Sequence, residues 1–237
     1  MWRAQIEGDP ESLEILRKNF RNHIIVEDNK YYLQYPQFGP DKEDLLQYAE
    51  DVFNNMISLL SFDLNKKWNV TLQSSFENIR KDGRDIIAFA EPISIKLNVY
   101  ATVNGEVSDL DIVKKDLEKY LECIERNEML KNALYFYNKQ DWVNLNKVLE
   151  LIVEDMGESD IVNRNWVTNN EIDLFRCTAH NIEGAGRDAR HAVSKIRPKC
   201  ERILESQDPM KLPAANKFIK RLLMNWIDFN CEYGQKI

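Results

Sequence analysis

Apolar and polar residues alternate in several short stretches of the N-terminal part of the chain, a pattern typical of half-buried strands. The stretches are residues 2–6, 68–76 and 93–103. Two short β-rich runs, residues 23–27 and 30–35, follow the first stretch, and the Asp28-Asn29 dipeptide between them suits a two-residue hairpin turn. The alternation is strict over the last stretch, which predicts an antiparallel strand with one wet face.

Two helices are predicted among these strands. Asp9 is a favoured N-cap residue and Pro10 is tolerated at the first helical position, so a helix is expected to begin there. Residues 41–62 repeat apolar side chains at spacings of three and four, which is the pattern of an amphipathic helix.

Helical spacing dominates the chain after Asn104-Gly105, where apolar stripes run over residues 110–124 and 145–156. Thr168-Asn-Asn-Glu171 has the form of a capping box, so a further helix begins there. Pro213 suits the first turn of a last helix.

The remaining polar stretches are interpreted as connections. Residues 155–160 are expected to form an acidic surface loop, and residues 196–213, with three prolines, are expected to include an irregular connection. The pattern as a whole predicts an α+β protein. Residues 1–105 would form a mainly antiparallel sheet with two helices, and residues 106–237 an all-helical domain.

Composition narrows the possible functions of the 237-residue chain. Its net charge of −7 argues against a protein that coats nucleic acid or anionic membranes through its overall charge. No apolar run approaches the length of a membrane span, and the N-terminus lacks the apolar run of a secretory signal. We therefore expect a soluble, cytoplasmic protein without a membrane partner.

Cysteine spacing gives little support to a zinc site. The four cysteines are Cys123, Cys177, Cys200 and Cys231, and no two of them have C-x-x-C spacing. Because disulfides belong mostly to oxidising compartments, reduced thiols are expected. No metal and no cofactor is predicted.

Polar chemistry is concentrated in residues 175–191, which hold two of the three histidines. The segment contains two Arg-x-x-x-His pairs, Arg176 with His180 and Arg187 with His191. Residues four apart lie on the same face of a helix, so each arginine is expected one turn below its histidine. Gly184 and Gly186 stand between the pairs and are predicted to break the helix.

Such a segment suits an anion, because guanidinium groups form bidentate bonds to phosphate or carboxylate. Residues 176–199 carry six basic and two acidic side chains, a local charge of +4. The candidate ligand-binding residues are Arg176, Gly184, Gly186, Arg187, Asp188 and Arg190. His180 and His191 are the candidate catalytic residues, since histidine can act as an acid or base near neutral pH. Alternatively, the segment is internal scaffolding, in which Asp188 pairs with an arginine and His191 bonds to a carbonyl.

These motifs carry two resemblances. The segment is similar to the active site of HEPN ribonucleases, helical proteins that use Arg-x4–6-His; the two pairs here have three intervening residues, and Cys177 follows the first arginine. Residues 184–191, which end in Ala-Arg-His, also resemble a Gly-x-x-x-Ala-Arg-His run of uncharacterised bacterial cytosolic proteins of similar α+β layout.

The leading interpretation is an intracellular binding or interaction protein. Its basic segment, residues 176–199, would recognise an anionic ligand, a nucleic acid such as RNA, or an acidic protein partner. The alternative is a metal-independent, HEPN-like ribonuclease using Arg187 and His191. An edge strand or the last amphipathic helix offers a way to form a homodimer.

Overall fold

The computed structural model describes residues 2–34, 42–63, 68–80, 83–88, 116–180, 185 and 198–233. The chain forms two compact units, Met1–Glu125 and Arg126–Ile237. The division at residues 105 and 106 and the strand expected over 93–103 lie outside the described residues, so both stay predictions.

The first unit is an antiparallel sheet accompanied by helices, which confirms the predicted α+β class. The five described strands have the order β2-β3-β1-β4-β5, and every neighbouring pair is antiparallel. The elements are β1 (Trp2–Gly8), α1 (Pro10–Asn19), β2 (Ile24–Glu27), β3 (Lys30–Gln34), α2 (Lys42–Asp63), β4 (Val70–Arg80), β5 (Gly83–Ala88) and α3 (Leu117–Glu125).

Local sequence signals explain where these elements begin and turn. Asp9 caps α1, and its side chain accepts a hydrogen bond from the backbone N–H of Ser12 at 2.9 Å. Asp28 and Asn29 have φ values of 49° and 59°, the left-handed conformation that a two-residue hairpin turn requires at both positions. β2 and β3 therefore pair directly, as predicted.

The alternation of β1 has one exception, Arg3, which is 3% exposed. Its guanidinium forms ion pairs with Glu27 and, at 3.1 Å, with Glu77, and it lies 4.0 Å from the centre of the Tyr32 ring. Burial lowers the pKa of Arg3, but the bonds to the two carboxylates outweigh burial and raise it above its ordinary value. The buried charge is therefore satisfied within the sheet.

The second unit is helical throughout its described residues. Its helices are α4 (Glu128–Tyr137), α5 (Trp142–Met156), α6 (Glu158–Asn163), α7 (Asn169–Ala179), α8 (Pro198–Ser206) and α9 (Leu212–Tyr233). Phe175 lies at the centre of an aromatic group in its core, 5.9 Å from the ring of Trp142 and 5.3 Å from that of Phe218. α9 buries Phe218, Leu222 and Trp226, the inward positions that its spacing predicted.

Helix termini in this unit follow the sequence in some places and not in others. The capping box of Thr168 and Glu171 is present with both of its hydrogen bonds. The acidic loop predicted over residues 155–160 is wrong, because α5 continues to Met156 and α6 begins at Glu158. Gly157, with φ of 79°, alone separates the two helices. The irregular connection predicted within 196–213 is present at residues 207–211, between α8 and α9.

Candidate functional site

Two of the predicted site residues, Arg176 and His180, are described by the structure. The others lie outside the described residues, and their roles stay predictions. These are Gly184, Gly186, Arg187, Asp188, Arg190 and His191, and with them the ribonuclease alternative.

Arg176 lies in the last turn of α7 and is paired with an internal carboxylate. Its Nη1 donates to Oε2 of Glu158 at 2.5 Å, and both side chains are about one third exposed. Glu158 is the first residue of α6, where the helix dipole favours a negative charge. A guanidinium carries five N–H donors, so this single bond does not exhaust the binding capacity of Arg176. The carboxylate nevertheless competes with any anionic ligand.

His180 follows the last residue of α7 and caps the helix. Its backbone N–H donates to the carbonyl of Arg176 at 3.1 Å, so the two residues lie one turn apart, as their spacing predicted. α7 ends at Ala179, before Gly184, the position to which the sequence assigned the break. The half-buried imidazole is thus attached to a helix end rather than to a helix interior.

A disulfide joins Cys177 of α7 to Cys200 of α8. The expectation of four reduced thiols is therefore wrong for this pair, whereas Cys123 and Cys231 remain thiols. The two bonded residues are 23 positions apart in the sequence, and their Cα atoms are 5.1 Å apart. No short motif marks such a pair, because the two helices bring the cysteines together only through the fold.

Polar contacts reinforce the pairing of α7 and α8. Lys199 Nζ lies 2.7 Å from Oδ1 of Asp173, next to the disulfide. The side-chain amides of Asn170 and Gln207 donate to each other at 3.3 and 3.1 Å, at the far end of the helix pair. The two ends of the segment between Cys177 and Cys200 are therefore held side by side.

The charge of that segment is opposite in sign to the charge of the whole chain. Residues 178–199 contain five basic and two acidic side chains, a net charge of +3, and two of the three histidines. The chain as a whole carries −7. A basic segment whose ends are fixed by neighbouring helices can present its charges to an anion within a limited volume.

The end of α6 holds an arrangement that the sequence patterns did not predict. Arg164 caps the helix, Asn165 takes a left-handed φ of 58°, and the N–H of Trp166 bonds back to the carbonyl of Ile161 at 3.1 Å. This is a Schellman motif. The guanidinium of Arg164 lies 4.3 Å from the ring centre of Phe229 and 5.9 Å from that of Trp166. Asn165 is a local signal for the turn. Nothing in the sequence, however, links Arg164 to Phe229.

Two kinds of site would be recognisable within the described ranges: a cluster of metal ligands and a membrane-spanning helix. No three histidine, cysteine, aspartate or glutamate side chains there gather into a group that could hold a metal ion. None of the described helices combines the length and the apolar character needed to cross a membrane.

Comparison with known proteins identifies no family for the chain. No protein-family model, curated protein or solved structure matches the chain. The resemblances to HEPN ribonucleases and to the bacterial α+β proteins stay predictions. The chemistry of the site therefore rests on the geometry of α6, α7 and α8.

Proposed function

We propose that the protein is a binding protein whose helical unit recognises an anionic partner through residues 176–199. The observation that carries this proposal is the bond between Cys177 and Cys200, which closes most of the basic stretch into a loop. The ion pair between Asp173 and Lys199 supports it, because it fastens the same end of the helix pair.

Loop closure favours binding through conformational entropy. A free basic segment must lose much of its chain entropy when it orders around an anion. A loop whose ends are already joined has fewer conformations to lose, so more of the electrostatic attraction contributes to the affinity. The disulfide is thus expected to strengthen binding without touching the partner.

One arginine of the segment is already paired with a carboxylate. Arg176 is engaged by Glu158, so its contribution to anion binding is reduced. Arg187 and Arg190 are therefore proposed to carry most of the recognition, with the backbone at Gly184 and Gly186 allowing close approach. Asp188, next to Arg187, would orient the guanidinium rather than contact the anion.

The decisive experiment is a double substitution, Arg187→Ala with Arg190→Ala. Fluorescence anisotropy would be measured with three labelled probes: a single-stranded RNA oligomer, inorganic polyphosphate and an acidic peptide. Loss of two charge-assisted interactions should weaken binding of the preferred probe on the order of 100-fold. Lys211→Gln with Lys217→Gln is the matched control, because both lysines are on the described surface and the same charge is removed.

Two results would overturn the proposal. One is equal binding by the arginine variant and the lysine control. The other is loss of the cooperative thermal transition in the arginine variant, which would show that the two residues stabilise the fold instead.

The cytoplasmic location expected from the sequence conflicts with a lasting disulfide, and the state of the cysteine pair in the cell decides between the two. In a reducing compartment the bond between Cys177 and Cys200 would exist only transiently, whereas an oxidising compartment would preserve it. Alkylation of thiols in intact cells, followed by mass spectrometry of the peptides, measures the state of the pair. Full alkylation of both cysteines supports the cytoplasm and removes the closed loop as the basis of binding. Protection of both supports the closed loop and contradicts the cytoplasm.

A further inference from the structure

Two aromatic rings and two lysines form an exposed surface where α4 meets α5. The surface consists of Tyr135, Phe136, Lys139 and Lys147, and is called the α4–α5 aromatic surface. Lys139 Nζ lies 4.8 Å from the ring centre of Tyr135, and Lys147 Nζ lies 4.6 Å from that of Phe136. The two rings meet edge to face, with centres 5.6 Å apart. Tyr135 is 59% exposed, although most large aromatic side chains in the described residues are covered.

The positive charge of this surface is not cancelled by its neighbours. Within the described part of the chain, neither Lys139 nor Lys147 forms an ion pair with a carboxylate. Asp141, the carboxylate in the turn between the helices, accepts hydrogen bonds from the backbone and side-chain nitrogens of Asn144 at 2.8 and 2.7 Å. Glu150, further along α5, accepts from Asn146. Both ammonium groups are therefore available to an external anion.

The helices that carry the surface are fixed in place. Asn127 caps α4 and Asp141 caps α5, each through its side-chain oxygen. The inner sides of the helices bury Leu134, Tyr137 and Trp142, and burial raises the pKa of Tyr137 to about 12. The backbone positions that carry the rings and cations on the outer side are consequently fixed before any ligand arrives.

We propose that the α4–α5 aromatic surface binds single-stranded nucleic acid. An unpaired base would stack on the exposed face of Tyr135, and the adjoining phosphates would contact Lys139 and Lys147. Aromatic faces beside uncompensated cations provide the two contacts that such a strand needs, and stacking accepts every base. The bases of a duplex are stacked on one another, so they offer no free face to Tyr135. An acidic peptide could contact the lysines, but it has no base to stack on the ring.

The α4–α5 aromatic surface lies outside the segment 176–199, so its binding of nucleic acid does not depend on the anion-binding role proposed for that segment. The surface and the segment belong to the same unit. Their failures are distinguishable, because one is tested at Arg187 and Arg190 and the other at the rings and lysines of α4 and α5.

The stacking contact is tested by Tyr135→Ala in the full chain, with a labelled single-stranded RNA oligomer and anisotropy as the readout. Loss of one stacked base should weaken binding roughly 5-fold to 150-fold and leave the dependence on salt unchanged. Tyr233→Ala is the matched control, because Tyr233 is 55% exposed and belongs to the same unit. An oligomer lacking bases should bind wild-type protein and the Tyr135 variant equally.

The phosphate contacts are tested by Lys139→Gln with Lys147→Gln. Removal of two cations should lower the slope of log affinity against log salt concentration by about 1.4. Lys211→Gln with Lys217→Gln removes the same charge elsewhere and should leave the slope unchanged.

Any of three results overturns the inference. The first is absence of binding of the single-stranded oligomer by the wild-type protein. The second is equal affinity of wild-type protein and the Tyr135 variant. The third is equal or tighter binding of duplex RNA, which would indicate attraction to phosphates without stacking.

Discussion

Arg176 donates Nη1 to Oε2 of Glu158 at 2.5 Å and thereby links the last turn of α7 to the first residue of α6. Both side chains are about one third exposed, so water weakens the interaction, and it contributes no more than about 1 kcal/mol to stability. For the proposed anion binding its consequence would be larger, because the carboxylate neutralises the one arginine of the basic segment that the structure describes.

Glu158→Gln should therefore increase the affinity of the protein for inorganic polyphosphate while lowering the free energy of unfolding by at most about 1 kcal/mol. Anisotropy gives the affinity and urea denaturation the stability. Glu201→Gln is a suitable control, since Glu201 occupies the first turn of α8 and loses the same charge. Unchanged affinity in Glu158→Gln would show that Arg176 does not contact the anion.

Joint replacement of Cys177 and Cys200 by serine should destabilise the helical unit by about 3 kcal/mol, because the unfolded chain loses a closed loop. Urea denaturation measures the difference. Dithiothreitol should destabilise the wild-type protein by a similar amount and leave the double variant unaffected. If the reductant shifted both proteins equally, the remaining cysteines or other effects would be responsible.

The sequence predicted those parts of the fold that depend on nearby residues. Asp9-Pro10, the turn at Asp28-Asn29 and the capping box at Thr168 each satisfy backbone groups a few residues away, and all three are present. α6 was missed because Gly157 permits a new helix to begin directly after α5, so an acidic stretch that resembled a loop is helical. Local polarity alone does not distinguish these two outcomes.

The candidate site was less predictable, because its described contacts join residues far apart in the sequence. Glu158 and Arg176 lie on different helices, and Cys177 meets Cys200 across a helix pair. The rings of Trp166 and Phe229 belong to a loop and to α9. Such pairs depend on tertiary packing, which spacing rules do not contain. The sequence did identify α7 and the position of Arg176 within it.

Trp226 is completely buried, and its indole N–H donates to Oδ2 of Asp155 at 2.6 Å. Asp155→Ala should cost about 1–3 kcal/mol of unfolding free energy, because the buried donor then lacks an acceptor. Asp155→Asn keeps a side-chain oxygen and should cost less. Asp208→Asn, at an exposed position, serves as the control in urea denaturation. Equal stability of Asp155→Ala and wild-type protein would contradict the assignment.

His23 makes the stability of the sheet unit depend on pH. Burial lowers its pKa below the ordinary value of 6.5, although Glu118, with Oε1 3.7 Å from Nδ1, and Glu122 act in the opposite direction. The unfolded chain therefore takes up the proton at higher pH than the folded protein. The stability contributed by neutral His23 is present above pH 6.5 and is lost as pH falls through the folded pKa, at no more than about 1.4 kcal/mol per pH unit. Urea denaturation between about pH 7.5 and 5.5 should show this loss in wild-type protein and a flatter profile in His23→Gln. Identical slopes in the two proteins would assign the pH dependence to other groups.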